Sequence, residues 1–190
     1  MEANYISNEN FDRVNYTDTV LAKGEYEDCT FTHCVFAQVD LQRVTFVECT
    51  FENCDISMAN INGTAFREVR FENCKLLGLR FEHCNEFLFS VGFNSCQLNL
   101  SSFYNLSLKG TRFENCNLSE VDFAGTDLTG AIFNHCDLQN ALFDNTILEK
   151  ADLRTSFGFT IDPEGNRVKK AKFSLDALPG LLTKYDIIIG

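Results

Sequence analysis

The sequence predicts an all-β fold in which the chain coils into a β-helix of about seven to eight turns, each of about 20 residues. Large apolar residues recur at every fifth position from Ile6 to Phe81, and again from Phe93 to Leu153. This spacing matches neither the helical period of about 3.6 residues nor the strand period of about 2 residues. A chain that turns a corner every five residues explains it, and four such sides complete one turn.

The segment FENC marks the length of one turn. It occurs at 51–54, 71–74 and 113–116, with looser copies at 31–34, 93–96 and 133–136. The step between copies is constant except from 71 to 93, where it is longer by two, so two extra residues lie in the register break at about 84–92. We expect a bulge or kink between stacked turns there, and a functional loop is the alternative.

A second class of inward residue, mostly small, lies two positions before each large one, and all nine cysteines occupy this place. Stacked turns leave room for only a small apolar group, and reduced cysteine packs as one. We therefore expect buried free thiols rather than disulfides or a metal site. The three histidines add no metal site, because His33 and His135 share an outer column and His83 lies on another side. Six cysteines should form one structural column: Cys34, Cys54, Cys74, Cys96, Cys116 and Cys136.

The composition restricts the function. Asp and Glu outnumber Lys and Arg by 27 to 16, giving a net charge of −11, which argues against direct binding to nucleic acid or to an anionic membrane. The N-terminus lacks an export signal and no apolar run is long enough to span a membrane, so we expect a cytoplasmic protein. No nucleophile with its base, glycine-rich phosphate loop or metal cluster is evident, so we expect neither an enzyme nor a bound cofactor.

Several short segments resemble the A(D/N)LXX signature of the pentapeptide-repeat family. They are VDL at 39–41, ANI at 59–61, VDF at 121–123, TDL at 126–128, CDL at 136–138 and ADL at 151–153. The resemblance covers about residues 6–155 and implies a right-handed quadrilateral β-helix for domain 1–155. A leucine-rich repeat fits poorly, because its leucines concentrate in one strand.

The C-terminal segment 156–190 abandons the five-residue pattern. DPEGN at 162–166 predicts a turn, followed by a short helix and a terminal strand. The arrangement is similar to the dimerisation module of Qnr/MfpA-type proteins, nearest to the microcin and albicidin immunity branch, although Qnr proteins usually carry projecting loops that this chain lacks. The resemblance implies a homodimer, and capping of the last turn is the alternative role. The expected interface residues are Leu178, Leu181, Leu182, Ile187, Ile188 and Ile189.

Acidic residues are concentrated between positions 113 and 149, where Lys and Arg are absent. The five-residue pattern places these acids on the outside, on several sides of the coil. They either form a partner-binding surface or merely solvate the rod, since Asp belongs to the motif itself. The candidate binding residues are Glu114, Glu120, Asp122, Asp127, Asp137 and Asp144.

The resemblance implies a role as a DNA mimic. The dimeric acidic rod would occupy the DNA-binding saddle of DNA gyrase or topoisomerase IV and protect the enzyme from quinolones or peptide toxins. The alternative is a generic protein–protein interaction module whose partner is unrelated to DNA enzymes.

Overall fold

The computed structural model describes residues 4–188, whose regular structure consists of short β-strands and a few 3-10 turns. The strands are β1 (Asn4–Ser7), β2 (Asn10–Asp12), β3 (Gly24–Glu27), β4 (Thr30–Thr32), β5 (Thr45–Val47), β6 (Thr50–Glu52), β7 (Ala65–Arg67), β8 (Val69–Glu72), β9 (Val91–Asn94), β10 (Arg112–Glu114) and β11 (Ile132–Asn134). The 3-10 helices span Phe81–His83, Leu178–Leu181 and Thr183–Tyr185. Within the described range, no helix is long and apolar enough to cross a membrane.

The strands stack into two parallel sheets that form a β-solenoid of about seven turns. One sheet has the order β1-β3-β5-β7, and the other has the order β11-β10-β9-β8-β6-β4-β2. Paired residues are one full turn apart in the sequence, as where Phe31 lies opposite Phe51. The predicted all-β coil is confirmed.

One step of the solenoid is longer than the others. Ala65 lies opposite Asn85, which is the ordinary step of one turn, whereas the step from Val69 to its partner Val91 is longer by two. The two extra residues therefore lie in segment 86–90. The ordinary step resumes at once, because Phe93 lies opposite Phe113.

Large apolar side chains fill the interior as stacked columns. The ring centroids of Phe31 and Phe51 are 4.7 Å apart with planes 8° from parallel, and those of Phe113 and Phe133 are 5.0 Å apart. Rings from neighbouring columns meet edge to face, as Phe123 and Phe133 do at 86°. Such pairs contribute about 0.5–1.5 kcal/mol beyond the burial of their apolar area. The columns join into one continuous core.

Most corners are turned by a residue with left-handed backbone geometry. Asn53, Gly63 and Asn73 have φ values of 54°, 68° and 52°. Gly adopts this region without steric cost and Asn tolerates it, which explains their frequency at the corners. The turn is closed locally, because the Val39 N–H donates to the Phe36 carbonyl at 3.0 Å.

The stacking continues past residue 155, into the segment that the sequence assigned to the tail. Ile147 lies opposite Arg167, and Asp152 lies opposite Lys172. Asn166 takes the place of the small inward residue, and its Nδ2 donates to the Phe143 carbonyl at 3.1 Å. Residues 157–165 break the five-residue spacing, which concealed this last rung in the sequence.

The tail differs from the prediction. Around Leu178, Leu181 and Leu182, where the sequence predicts one short helix, the chain forms two single-turn 3-10 helices. The prediction of a terminal strand that begins at Ile187 is wrong, because Ile187 and Ile188 belong to no strand. Asp186 has left-handed backbone geometry with φ 48°, and Ile188 is fully exposed. Within residues 4–188 these isoleucines pair with no neighbouring strand, and the predicted interface residue Ile189 lies outside the described residues.

We expect the Phe113→Ala substitution to lower the free energy of unfolding by about 3–5 kcal/mol, because it leaves a cavity between two stacked rings. Tyr104→Ala is the matched control, since Tyr104 is 49% exposed, and it should cost less than about 1 kcal/mol. Chemical denaturation followed by circular dichroism measures both values. Equal losses would contradict the role of the columns.

Candidate functional surface

The six acids predicted to bind a partner lie outside the core but do not form one stacked row. Asp122 is flanked in its ladder by Ser102 and Leu142. Glu114 is flanked by Asn94 and Asn134. Asp127 and Asp137 also have uncharged neighbours in the turns above and below. Asp127 lies between Ser107 and Ile147, and Asp137 lies between Asn117 and Phe157. These carboxylates therefore surround the rod, each on a different ladder.

Three of these acids have a structural task at the corners. The side chain of Asp122 accepts a hydrogen bond from the Ala124 N–H at 2.8 Å, two residues ahead. Asp127 and Asp137 accept the same bond from the N–H groups of Thr129 and Gln139, each at 3.0 Å. Such bonds from a side chain to its own backbone stabilise turns. The motif Asp is thus selected at least in part for the corner.

The same task is performed along the whole rod. Equivalent bonds run from the backbone N–H two residues ahead to these residues: Asp40, Asp55, Asn60, Asn85, Asn117, Asp152 and Asp162. Asn performs it as well as Asp, so the corner requires the oxygen and not the charge.

Few of the candidate acids are neutralised by a cation. Asp127 lies 3.2 Å from the Lys109 ammonium, and Glu114 lies 3.8 Å from the Arg112 guanidinium. Burial acts to raise the pKa of Asp127, but hydrogen bonds from Thr129 and the Lys109 charge outweigh it and lower that pKa. In the described part of the chain, the remaining four form no ion pair: Glu120, Asp122, Asp137 and Asp144.

The structure also shows an acidic corner that the sequence reasoning missed. Asp28, Glu48 and Glu68 occupy equivalent left-handed positions in successive turns, with φ values of 51°, 53° and 54°. On the adjoining sheet Glu52 lies directly opposite Glu72. None of the five forms an ion pair among residues 4–188. The signal was present in the sequence as an acid repeated once per turn, in a region that also contains cations.

The cysteine column is buried and hydrogen-bonded. All nine cysteines are free and buried, including the column of Cys34, Cys54, Cys74, Cys96, Cys116 and Cys136. The Cys54 thiol donates to the Phe31 carbonyl at 3.2 Å, and the Cys136 thiol donates to the Phe113 carbonyl at 3.3 Å. The hydroxyl of Thr126 makes the same bond to the Phe103 carbonyl at 2.7 Å. The small inward position therefore favours a side chain that is small and can also donate a hydrogen bond.

The predicted interface residues of the tail divide into two groups. Leu181 packs against the core and so helps to cover the last turn, and Leu182 is half-buried. Leu178 is 39% exposed, Ile187 is 56% exposed and Ile188 is fully exposed. The tail thus combines a capping contact with an exposed apolar surface.

These features define a class of protein, a parallel β-solenoid built on five-residue sides with large and small residues alternating inside. A family model described as the pentapeptide repeat region matches residues 25–86, 44–123 and 79–153. The chain belongs to this family.

The solved structure of QnrB1 supports the same fold. Full-length QnrB1, a plasmid-mediated fluoroquinolone resistance protein, superposes with a TM-score of 0.54 at 17% identity, covering 97% of this chain and all of that one. HetL, a pentapeptide repeat protein involved in heterocyst differentiation regulation from the cyanobacterium Nostoc, has a TM-score of 0.39 at 15% identity, covering 90% and 84%. At 17% identity the likeness to QnrB1 shows the fold alone. No curated protein matches the sequence.

We expect Asp122→Asn to change the free energy of unfolding by less than about 0.5 kcal/mol, because the amide oxygen still accepts the Ala124 N–H. Asp122→Ala removes the acceptor and should cost about 1 kcal/mol. Chemical denaturation of both variants separates the role of the oxygen from that of the charge. A loss as large in the asparagine variant would show that the charge itself holds the corner.

Proposed function

We propose that this protein is a right-handed, four-sided acidic rod that imitates DNA and binds a type II topoisomerase, DNA gyrase or topoisomerase IV. Occupying the DNA-binding saddle of the enzyme, it protects the enzyme in the cytoplasm from quinolones or peptide toxins. The observation that carries the proposal is the set of unneutralised carboxylates around a narrow solenoid. The match to the fold of a fluoroquinolone resistance protein supports it.

The density of charge along the rod suits this role. Residues 1–160 hold 23 acidic and 11 basic residues, a net charge of −12, whereas residues 161–190 hold 4 and 5, a net charge of +1. Seven stacked turns at about 4.8 Å each give a length of roughly 35 Å, so one net negative charge falls about every 3 Å. B-DNA carries one about every 1.7 Å. The rod therefore has a lower density of negative charge along its length than the DNA duplex.

The arrangement of the acids is compatible with a partner that surrounds the rod. The candidate carboxylates lie on different ladders, and the corner of Asp28, Glu48 and Glu68 adds a second acidic region. Corner bonding does not remove this charge, because in Asp122 and Asp137 only Oδ1 accepts the backbone N–H. A basic saddle would therefore meet negative charge from several directions.

A generic interaction module is the second candidate function. The corner hydrogen bonds favour it, because they explain the motif aspartates without any partner. Membership of the family is equally compatible with it, since the family model describes a repeat and not a partner. The two candidate functions differ in whether a topoisomerase binds the rod through its negative charge.

We expect this protein to lower double-strand cleavage when it is added to DNA gyrase, supercoiled plasmid and a quinolone. High salt should weaken the effect, because it screens the attraction between exposed charges. The combined variant Glu114→Gln, Asp122→Asn, Asp127→Asn and Asp137→Asn should need about tenfold more protein, since charge complementarity governs association. Counting breaks against protein concentration at two salt concentrations tests this.

A matched variant locates the binding surface in the same assay. Asp28→Asn, Glu48→Gln, Glu68→Gln and Glu72→Gln also removes four charges, from the acidic corner and its neighbouring sheet. Unchanged cleavage with the wild-type protein, or equal potency in both variants and the wild type, would sink the proposal and leave the generic module.

We propose that the tail makes the rod a homodimer through the exposed residues Leu178, Ile187 and Ile188. Ile188→Asp should convert the dimer to a monomer, because it places a charge in an apolar contact. Val20→Asp, at a site 91% exposed in the first turns, is the control and should leave the dimer intact. Sedimentation velocity measures the mass, and a dimer in the Ile188→Asp variant would assign the tail to capping.

A further inference from the structure

A cleft with four basic side chains lies beside the long step of the solenoid, although the rod as a whole is acidic. It has a volume of about 760 Å³, and its lining includes Arg67, Arg70, Lys109 and Arg112 together with Gly92. Residues 1–160 contain 11 Lys and Arg in all, so more than a third of them converge on this one feature. Two of the four, Lys109 and Arg112, pair with candidate acids, whereas Arg67 and Arg70 do not.

The sheet holds two of the arginines apart with a gap between them. Arg70 lies opposite Gly92 in the ladder, and the pairing of Phe93 with Phe113 places Arg112 on the other side of Gly92. A Cβ added at Gly92 would meet no atom within 4 Å. The two arginines therefore rise from backbone positions about 10 Å apart, two strand spacings, on either side of an open notch.

Two cations of the cleft lack an anionic partner in the described structure. Arg70 forms no ion pair among residues 4–188, and neither does Arg67. The Nε of Arg67 is buried without a hydrogen-bond partner, and its guanidinium stands 5.6 Å from the ring centroid of Phe87. The inserted segment thus holds Arg67 in place without neutralising it.

The unpaired positive charge of the cleft lies on Arg67 and Arg70. Lys109 lies 3.2 Å from Asp127 and Arg112 lies 3.8 Å from Glu114, so both are shared with acids outside the lining. Glu48 and Glu68 also line the cleft. The lining alone holds four basic and two acidic side chains, and the two paired acids outside it bring the local sum to zero, so anion binding depends on the unpaired Arg67 and Arg70.

We infer that this basic cleft binds a compact phosphate-bearing anion of nucleotide size. Arginine offers paired N–H donors that match the oxygens of phosphate, and two arginines facing across Gly92 reach one phosphate group or two adjacent ones from both sides. The volume lies within the range of about 300–1,000 Å³ of small-molecule sites. Leu88, Phe89 and Val91 supply an apolar wall against which a ring packs.

The charge of the rod selects a compact ligand over a polymer. A long polyanion would extend from the cleft along a surface with a net charge of −12 over residues 1–160, and that surface would repel it. A small anion stays beside the unpaired Arg67 and Arg70 of the lining. The four basic residues of this site are not among the acids or the tail residues tested above, although Glu48 and Glu68 of the acidic corner also line the cleft.

The test is isothermal titration calorimetry of the full chain at low salt with three probes: pyrophosphate, ATP and hexaglutamate. We expect ATP and pyrophosphate to bind with one site per chain. Hexaglutamate should bind at least about tenfold more weakly, because a phosphate group offers an arginine more negative charge per bidentate contact than a carboxylate does. Tighter binding of ATP than of pyrophosphate would assign the apolar wall to a ring. Equal binding would assign the site to the inorganic anion.

Matched variants connect the binding to the cleft. Arg70→Gln with Arg112→Gln should weaken ATP binding at least about tenfold, whereas Arg43→Gln, an exposed arginine on another part of the rod, should not. Gly92→Asp should abolish binding and Gly92→Ala should keep it, since Gly92 has ordinary backbone geometry and open space for a side chain. Gln97→Glu adds the same charge elsewhere and should have little effect.

Three outcomes would overturn the inference. They are the absence of heat with both phosphate probes, equally tight binding of hexaglutamate, and wild-type affinity in the Arg70→Gln/Arg112→Gln and Gly92→Asp variants. Thermal denaturation of each variant verifies that it is folded. Because gyrase protection is not part of the measurement, failure here leaves the proposed function untouched, and failure of gyrase protection leaves the cleft untouched.

Discussion

The stacking of each turn on the next is the interaction on which the rest of the structure depends. A large residue such as Phe51 must lie between Phe31 and Phe71, so each turn must return its inward residues to the same columns, which sides of five residues achieve. This requirement buries the small residues, positions a thiol or hydroxyl against a carbonyl of the previous turn, and sends the remaining residues outward. Folding and surface chemistry therefore follow from one repeat.

The corners connect this repeat to the charge. A side of five residues needs a sharp turn, and the turn is stabilised when a side-chain oxygen accepts the backbone N–H two residues ahead. Asp and Asn both provide that oxygen, as Asp122 and Asn117 show. The choice of Asp over Asn at these corners therefore changes charge at little structural cost. A rod of this design can become as acidic as a partner requires.

The long step shows how a small departure from the repeat produces a local feature. The two extra residues leave the inward columns in place, because Phe71 still stacks on Phe93 at 5.5 Å. Outside, the same departure brings Phe87 over Arg67 and leaves an open notch at Gly92. The buried side chains therefore keep their stacking register, whereas the exposed side chains next to the insertion are rearranged. The basic cleft of the rod is found at this point.

The sequence by itself determined the inward half of this protein. The turn length, the long step near Cys84 to Phe93 and the burial of the cysteines follow from spacing, because each rung must repeat the one beneath it. The tertiary structure decided which outward side chains meet: that Asp122, Asp127 and Asp137 lie on separate ladders, that Asp28, Glu48 and Glu68 share a corner, and that Ile187 and Ile188 join no strand. The inward pattern has a period that can be counted, whereas contacts on the outside depend on the three-dimensional stacking of turns and on where the chain leaves the solenoid.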